Sequence, residues 1–337
     1  MNIKSLLGKI PSARFLYSAY KEAKEIKRIG GGNCLTFTIL DEIWCRLFYG
    51  ASASDYKLFE FYRLKHHECN KFETVRRHEK VLAHIQKTFA DEGVLEDKDF
   101  EYRKYADFIN RKWMIVDKGT SIDDIKEFIK DFEWVLAKPV GTGCGYGIEK
   151  FHRSQVDVID KIVSRLGRSK YEDRYIVEEC ISNADFLKEL NPTSLNTFRI
   201  FTLTDRQGNT QILEVMLRVG KPGMYVDNWS AGGILYRVDI EHGIVIQPGV
   251  DKDKNIYIYH PGSNVKMVGY QIPNYQILKD TVEKLVKVDS RVSVVGWDVT
   301  FTDSGIEFIE MNSPGGHDIM QFWGTPYYGK IKKALYG

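Results

Sequence analysis

Two apolar runs that flank a short turn near the carboxyl end of the chain constrain the fold more than any other segment. The sequence DVTFTDSGIEFIEMNSPGG occupies residues 298–316, with the turn at residues 303–305. Its apolar side chains predict a mostly buried β-hairpin. Glu310 and Asn312 are two residues apart and share one face of the second strand, and the hairpin brings Asp298 alongside them.

These three polar side chains predict a metal site. Buried acids need a partner, and a hard divalent cation is an economical one, because Mg²⁺ prefers oxygen ligands. Two carboxylates and one amide oxygen converge at the hairpin, from Asp298, Glu310 and Asn312. We therefore expect Mg²⁺ or Mn²⁺ there. The alternative is a polar strand end that faces water.

A glycine-rich segment follows an earlier apolar run, in the sequence VLAKPVGTGCGYGIEKF. Lys138 enters the segment, and four glycines follow within seven residues, at Gly141, Gly143, Gly145 and Gly147. Backbone N–H groups of such a segment approach an anion closely, and the lysine adds a charge for phosphate. The spacing matches neither a Walker loop nor a dinucleotide fingerprint. It favours phosphate binding over an ordinary glycine-rich hairpin.

Charged residues also lie on apolar strands farther along the chain. In RYIVEECISNADF, Glu178 and Glu179 directly follow an apolar run, which by itself indicates a strand that leaves the core. NTFRIFTL and LEVMLRVG place Arg199 and Arg218 on neighbouring strands. A guanidinium in such a position forms a salt bridge or binds an anion, and the predicted phosphate loop and metal site favour the anion.

Length, charge and cysteine usage bound the class of protein. The chain has 337 residues, 43% of them hydrophobic, and a formal net charge of +2, so it is expected to be globular, with no nucleic acid as partner. No apolar run approaches the ~20 residues of a membrane span. Lys4, Lys9 and Arg14 interrupt any signal-peptide core. Five scattered cysteines without a CxxC pair predict neither a disulfide framework nor a zinc site and favour a reducing cytoplasm.

The first thirty residues are basic, with seven Lys or Arg against two Glu. Basic and apolar residues alternate there at roughly helical spacing. One interpretation is a helix that packs on its own domain and exposes a solvated basic face. The other is a helix that lies on an anionic membrane surface or on a protein partner.

The remaining pattern predicts an α+β protein. Residues 1 to about 95 show helical spacing, and a helix is expected after Ser121. Strands dominate after about residue 170, with helices at about 152–166 and 274–287. Successive strand hairpins with few helices indicate antiparallel sheets.

Taken in order, these motifs resemble the ATP-grasp superfamily: Lys138 before GTGCGYG, then VEECI, then the hairpin. DEIWCRLFYGASASDYKLFEFYRL, SLNTFRIFTL and DNWSAGGILYRVDIEHG resemble its sugar-transfer-associated branch, whose genes lie among polysaccharide genes, and the likeness covers roughly residues 38–325. The resemblance implies an ATP-grasp fold, in which two α+β subdomains grip ATP between antiparallel sheets. The domains would be a helical N-terminal region at 1–95, a small subdomain at 96–175 and a large subdomain at 176–337.

The resemblance also implies roles for residues on the nucleotide side. Lys98 would be the first nucleotide lysine, with Lys118 as the rival, and Lys138 would reach the α- and β-phosphates. Glu178 would lie at the adenine amino group and Asp185 at the ribose hydroxyls. The adenine edge would meet the backbone of Glu179, Cys180 and Ile181, and the phosphates would meet Gly143, Gly145 and Gly147.

On the other side of the site, the resemblance implies that the hairpin residues Asp298, Glu310 and Asn312 hold two Mg²⁺ ions, with Glu310 as the bridge. Arg199 and Arg218 would face the γ-phosphate and the acyl-phosphate, with Arg218 at the oxyanion. Outside the motifs, Asn228 and His317 are candidates for substrate contact, and the alternative for each is a structural role in its loop.

The activity that the resemblance implies is ATP-dependent carboxylate–amine ligation through an acyl-phosphate. We expect a cytoplasmic bacterial enzyme that joins a sugar acid or amino acid, free or glycan-linked, to an amine in capsule or O-antigen biosynthesis. The basic helix would allow weak contact with the inner membrane face or a glycosyltransferase. The alternatives are a kinase of a sugar or glycan hydroxyl and a non-catalytic nucleotide-binding partner of a glycosyltransferase.

Overall fold

The strands of the computed structural model form two antiparallel sheets, and the structure describes residues 12–88, 97–141, 147–167, 173–291 and 293–337. The strands are β1 (Trp113–Val116), β2 (Trp134–Pro139), β3 (Glu149–His152), β4 (Tyr175–Glu179), β5 (Thr197–Thr204), β6 (Thr210–Val219), β7 (Ile234–Val238), β8 (Gly249–Val250), β9 (Ile256–Tyr257), β10 (Val294–Thr302) and β11 (Gly305–Asn312). The α-helices of the described ranges are α1 (Ala13–Arg28), α2 (Leu35–Tyr49), α3 (Ala53–Leu58), α4 (His66–Cys69), α5 (Val75–Thr88), α6 (Lys98–Lys104), α7 (Ile122–Ile129), α8 (Val156–Arg165), α9 (Asp185–Lys188), α10 (Tyr275–Val288), α11 (His317–Met320) and α12 (Tyr328–Tyr336). None of the helices in these ranges is long and apolar enough to span a bilayer.

Helices α1–α5 lie in the described part of the predicted N-terminal region, residues 12–88. The local signals that begin and end them are clear: Gly50 ends α2 with a φ of 72°, and Ser52 begins α3 in a reciprocal capping box with Asp55. The region is attached to the carboxyl-terminal part of the chain by Gln321. The side chain of Gln321 accepts from the backbone N–H of Glu73 (2.8 Å) and donates to its carbonyl (2.9 Å).

The smaller sheet has the order β1-β4-β2-β3, and α7 and α8 share its hydrophobic core. Helix α7 begins where the sequence predicted, since the Ser121 hydroxyl accepts a hydrogen bond from the N–H of Asp124 at 3.1 Å. Strand β4 pairs with both β1 and β2. The predicted boundary at 175/176 would cut this strand in two, so the small subdomain has to extend through residue 179.

The larger sheet has the order β11-β10-β5-β6-β7-β8-β9. Every residue of its interior strand β5 is buried, and α5, α10 and α12 all contribute to the surrounding core. Half of the β5 residues are polar or charged, so burial on both faces places polar side chains inside the protein, where they need partners. In GIVIQPGV, residues 243–250, strand structure is limited to the two residues of β8 and to isolated bridges that pair Val245 with Val238 and Ile244 with Gln271. The charged residues of β5, β6 and β10 are buried, as is Glu307 of β11, whereas Glu310 is half-buried.

Candidate functional site

The β10–β11 hairpin places Asp298 directly opposite Glu310, and Gly296 opposite Asn312. A β-bulge follows Asp298. Asn312 Nδ2 donates a hydrogen bond to Glu310 Oε1 at 3.3 Å, so these two side chains share a face, as expected from their spacing. The structure thus gathers the three predicted metal-ligating side chains at one end of the hairpin.

Asp298 is buried, and two arginines hold it. Arg199 donates to it through Nε (2.5 Å to Oδ1) and Nη2 (2.8 Å to Oδ2), and Arg218 Nη2 lies 3.3 Å from Oδ2. Burial alone would raise the pKa of Asp298, but the two guanidinium groups hold that pKa below its usual value. This corrects the argument that its burial calls for a metal, since the two arginines supply the compensating charge.

Asp227 belongs to the same cluster and was missed by the sequence analysis. It accepts a hydrogen bond from the Thr197 hydroxyl at 2.5 Å and lies 3.5 Å from Arg218 Nε. Arg218 Nε also donates to the Thr197 hydroxyl at 2.9 Å. Burial, opposed by Arg218, raises the pKa of Asp227. In the structure, Asp227 positions the guanidinium group of Arg218. The only signal for this residue in the sequence was weak, an acid next to Asn228 in a glycine-rich loop.

Lys138 lies in β2 and forms an ion pair with Glu178 of β4. The Glu178 carboxylate also accepts hydrogen bonds from Arg111 Nε (2.8 Å) and the Tyr102 hydroxyl (2.7 Å). Burial would raise the pKa of Glu178, yet Arg111 and Lys138 lower it to about 2. The Glu178 side chain therefore positions Lys138, and the contact with the adenine amino group implied by the resemblance would have to compete with these partners.

Arg111 connects the two sheets and had no signal in the sequence. It binds Glu178 of β4 through Nε, while its Nη1 donates to Glu307 Oε1 (2.6 Å) and to the Phe308 carbonyl (2.7 Å) of β11. Its side chain is 1% exposed. Arg111 is therefore a buried charge that is held by one carboxylate from each sheet. These bonds fix the distance between Lys138 of the small sheet and the β10–β11 hairpin of the large sheet.

Lys98, in the first turn of α6, lies close to the same cluster. Burial lowers its pKa, Glu310 opposes that shift, and Lys138 adds to it, so all three charges lie within range of one another. Lys118 instead lies against Gly167, beyond the end of α8. Of the two rival lysines, Lys98 is thus the one found within electrostatic range of Glu310.

Glu101 was also missed by the sequence analysis. Its Oε1 accepts a hydrogen bond from the N–H of Met311, between the two predicted ligands of β11, at 2.5 Å. Burial and the nearby Glu310 raise the pKa of Glu101 to about 8. This carboxyl group shapes the backbone of the hairpin beneath the predicted metal site.

The predicted adenine edge is only partly available. The N–H of Glu179 donates to the Lys112 carbonyl (2.9 Å), and that of Cys180 donates to the Trp134 carbonyl (3.1 Å). Both N–H groups are used within the sheet, so the expectation of an N–H donor to adenine now depends on Ile181.

Two of the four remaining predicted nucleotide contacts, Asp185 and Gly147, lie within the described residues. Asp185 is the first residue of α9, is exposed, and lies 3.3 Å from Lys188. Gly147 has a φ of 75°. Gly143 and Gly145 lie outside the described residues.

The two candidate substrate contacts both have structural partners. The Asn228 side chain accepts from the N–H of Ser230 at 3.1 Å and begins a short 3₁₀ turn. His317 Nε2 lies 3.1 Å from Asp55 Oδ1, and its ring lies 4.7 Å from that of His78. His317 thus joins the segment after the hairpin to the N-terminal helices.

Asp41, Cys45 and His66 form a second group of potential metal ligands, with ligand atoms within 4.8 Å of one another. The sequence analysis did not anticipate this group. Asp41 already lies 3.0 Å from His66 and accepts a hydrogen bond from the Tyr56 hydroxyl at 2.7 Å. These contacts account for the cluster without a metal.

Lys98 and Lys138 come from the part of the protein that holds the small sheet, and the carboxylates of Asp298 and Glu310 come from the β10–β11 hairpin of the large sheet. This arrangement is that of an ATP-grasp protein. The model of the sugar-transfer associated ATP-grasp family matches residues 94–326. This is more than half of the chain, and the protein belongs to that family. ATP-grasp enzymes as a class use ATP and divalent metals.

Solved structures that resemble the chain are distant from it in sequence. D-alanyl-alanine synthetase A from Vibrio cholerae O1 biovar eltor is 12% identical, with a TM-score of 0.46, and the match covers 72% of this chain and 64% of that one. VanG D-Ala:D-Ser ligase from Enterococcus faecalis is 15% identical (TM-score 0.47; 72% and 61%). ATP-grasp ligase PsnB is 12% identical (TM-score 0.42; 74% and 61%). The chain spans less than two thirds of each of these three structures, and no curated protein matches it significantly.

Proposed function

We propose that the protein is an ATP-dependent carboxylate–amine ligase that works through an acyl-phosphate. The observation that carries the proposal is the convergence of opposite charges between the two sheets. Glu310 lies within electrostatic range of Lys98 on one side and of Arg218 on the other. Cations placed around a carboxylate hairpin can hold a polyphosphate and neutralise the charge that develops during phosphoryl transfer.

The residues at the hairpin fit a hard divalent cation. Asp298 and Glu310 lie directly opposite each other across the strand pair, which brings two carboxylates to the same end of the hairpin. Glu310 and Asn312 offer oxygen donors of the kind that Mg²⁺ prefers. When bound, the metal supplies charge neutralisation to the phosphates.

Asp298 adds a condition to this assignment. Both of its oxygens accept hydrogen bonds from Arg199. We expect a polyphosphate to take over the N–H donors of Arg199 and Arg218, because their guanidinium groups match phosphate geometry. Asp298 is then free to turn toward the cation. In the ion pairs of this site, Asp298 occupies the place of the phosphate beside the arginines, and the arginines occupy the place of the cation beside Asp298.

The proposed reaction has two steps. The substrate carboxylate attacks the γ-phosphorus in line, ADP leaves, and a mixed anhydride forms between the carboxylate and phosphate. An amine then attacks the acyl carbon, phosphate leaves, and the amine loses a proton. Lys98 and Lys138 would hold the nucleotide phosphates, Arg199 the transferred phosphoryl group, and Arg218 the oxyanion of the tetrahedral intermediate.

The substrate class is inferred from the family description. A sugar-transfer association favours a sugar acid or an amino acid, free or glycan-linked, as the carboxylate in surface-polysaccharide biosynthesis. An ionised carboxylate needs no base to become a nucleophile, unlike a sugar hydroxyl.

Hydroxylamine trapping tests the reaction class. The protein is incubated with hydroxylamine, ATP, Mg²⁺ and a panel of uronic acids and amino acids, with the substrate amine withheld. Products are identified by mass spectrometry. We expect hydroxamate with the correct acid, and with the amine supplied, ADP, phosphate and amide in equal amounts. ADP together with a stable phosphorylated sugar and no hydroxamate would establish a kinase. A protein that binds ATP and yields no product with any acid or sugar would favour the non-catalytic alternative.

A further inference from the structure

Helix α2 exposes a stripe of large apolar side chains. Phe37, Leu40, Trp44 and Phe48 are spaced by three, four and four residues, so they lie on one side of the helix. Their exposed fractions are 53%, 59%, 46% and 60%. The Trp44 and Phe48 rings stack, with centroids 4.1 Å apart. Such a stripe normally packs against a core, and this one faces outward.

The buried side of the same helix is less apolar than its exposed side. Thr38, Glu42 and Cys45 are its buried residues. Burial raises the pKa of Glu42 to about 9, so that carboxyl group is neutral at physiological pH. A helix that buries polar residues and exposes apolar ones is patterned for an apolar environment outside the fold.

Helix α1, the neighbour of α2, also exposes large apolar side chains, and the exposed side chains of these two helices are called the α1–α2 face. On α1 they are Leu16, Tyr17 and Tyr20. Of the 19 exposed large hydrophobic residues in the described part of the chain, seven lie in α1 and α2. Scattered apolar side chains are ordinary on a protein surface, whereas this concentration in two adjacent helices marks an interaction site.

Helix α1 of this α1–α2 face is basic. Exposed basic residues on α1 are Arg14, Lys21, Lys24, Lys27 and Arg28. The two acids of α1 are paired, since Glu22 lies 2.9 Å from Lys57 and Glu25 lies 2.5 Å from Arg28. On the other side, Trp44 packs edge-on against His66, next to the exposed Lys65. Helix α1 therefore carries a net positive charge.

We propose that the α1–α2 face docks on the surface of an anionic lipid bilayer. Trp, Tyr, Phe and Leu side chains partition into the boundary between headgroups and acyl chains, and Lys and Arg are attracted to anionic headgroups. A second copy of the chain fits less well, because a twofold interface at this face would bring the basic helices of the two copies together. The proposal does not depend on the ligase reaction.

The proposed membrane contact includes an element that the sequence analysis did not single out. The charge of the first thirty residues left two interpretations open, a helix that packs on its own domain and a helix that lies on an anionic membrane surface or a protein partner. The structure adds a separate apolar element, the exposed stripe of α2. Electrostatic attraction through α1 and insertion through α2 are two signals of the kind that stable peripheral binding requires.

Vesicle flotation with the full-length protein tests the proposal. We expect binding to vesicles of equal parts phosphatidylcholine and phosphatidylglycerol, weaker binding to phosphatidylcholine alone, and a blue shift of tryptophan emission on binding. The triple variant Leu40→Gln, Trp44→Gln, Phe48→Gln should lower the partition coefficient at least about tenfold, because each change removes apolar surface from the bilayer. The pair Lys21→Glu, Lys24→Glu should weaken binding to anionic vesicles specifically.

The double variant Ile256→Gln, Ile277→Gln is the matched control, because both residues are exposed and lie outside the α1–α2 face. It should bind vesicles like the wild type, and circular dichroism should show the triple variant folded. Absence of wild-type binding, or equal binding by the triple variant, overturns the proposal. So does binding that survives the triple variant and disappears on deletion of residues 1–11. A dimer that the triple variant converts to a monomer, without vesicle binding, would assign the face to a second copy instead.

Discussion

Arg199 and Asp298 form a buried bidentate ion pair, with Nε–Oδ1 and Nη2–Oδ2 distances of 2.5 and 2.8 Å. The two residues lie opposite each other on β5 and β10. The sequence analysis assigned them to different ligands, a phosphate and a metal. In the structure each neutralises the other, which allows two full charges to remain inside the sheet.

Breaking this pair should cost stability. Asp298→Asn leaves two buried guanidinium groups without their shared carboxylate, and we expect the free energy of unfolding to fall by about 3 kcal/mol. Urea denaturation measures the change. Asp303→Asn, in the exposed turn of the same hairpin, is the control and should shift the free energy by less than about 0.5 kcal/mol. Equal effects of the two substitutions would show that the ion pair contributes nothing to stability.

Lys138 should determine nucleotide affinity. Lys138→Ala removes the cation that Glu178 positions in the cleft, and ATP binding should weaken more than tenfold, which corresponds to about 1.4 kcal/mol or more. Calorimetric titration measures the affinity. Lys118→Ala should bind ATP like the wild type, because that side chain lies against Gly167. Unchanged affinity in Lys138→Ala would remove this lysine from the site, and a loss of affinity in Lys118→Ala would favour Lys118 over Lys98 as the first nucleotide lysine.

Glu310→Gln should abolish turnover and leave the fold intact. The substitution keeps the size of a half-buried side chain and removes the charge that a metal and a polyphosphate require. We expect the rate of ATP turnover to fall at least about a hundredfold, with an unchanged unfolding midpoint. Activity close to that of the wild type would mean that the hairpin acids are structural.

The contact between His317 and Asp55 should make stability depend on pH. Burial would lower the pKa of His317, but its bond to Asp55 and the nearby Asp318 and Glu73 raise that pKa above the ordinary value of 6.5. Because the folded-state pKa is raised, the stabilisation is complete below pH 6.5 and is lost as the pH rises through the higher folded-state value. His317→Gln should remove about 1.5 kcal/mol at pH 6, the magnitude of a charged hydrogen bond, and less at pH 9.

Urea denaturation at several pH values measures this loss. His242→Gln is the control, because His242 is exposed and bonds to Asp239 in its own turn. It should have little effect at any pH. A stability loss in His317→Gln that is the same at pH 6 and pH 9 would contradict a protonated histidine at this contact.

The sequence by itself determined the features that depend on near neighbours. The alternation of apolar residues around a tight turn specified the β10–β11 hairpin and the convergence of Asp298, Glu310 and Asn312. The hydroxyl of Ser121 marked the start of α7, and Gly50 marked the end of α2. These signals are legible because turn geometry and strand periodicity act over a few residues.

The tertiary structure decided which charges meet, because pairing depends on the order of strands in a sheet and on how the sheets face each other. Arg199 and Asp298 are 99 residues apart in the sequence, and Arg111 meets Glu307 across 196. The spacing of charged residues along the chain does not predict these contacts. The outward apolar stripe of α2 is hidden in the same way, because helical periodicity shows that a helix has an apolar side, and only packing decides whether that side faces the core or the solvent.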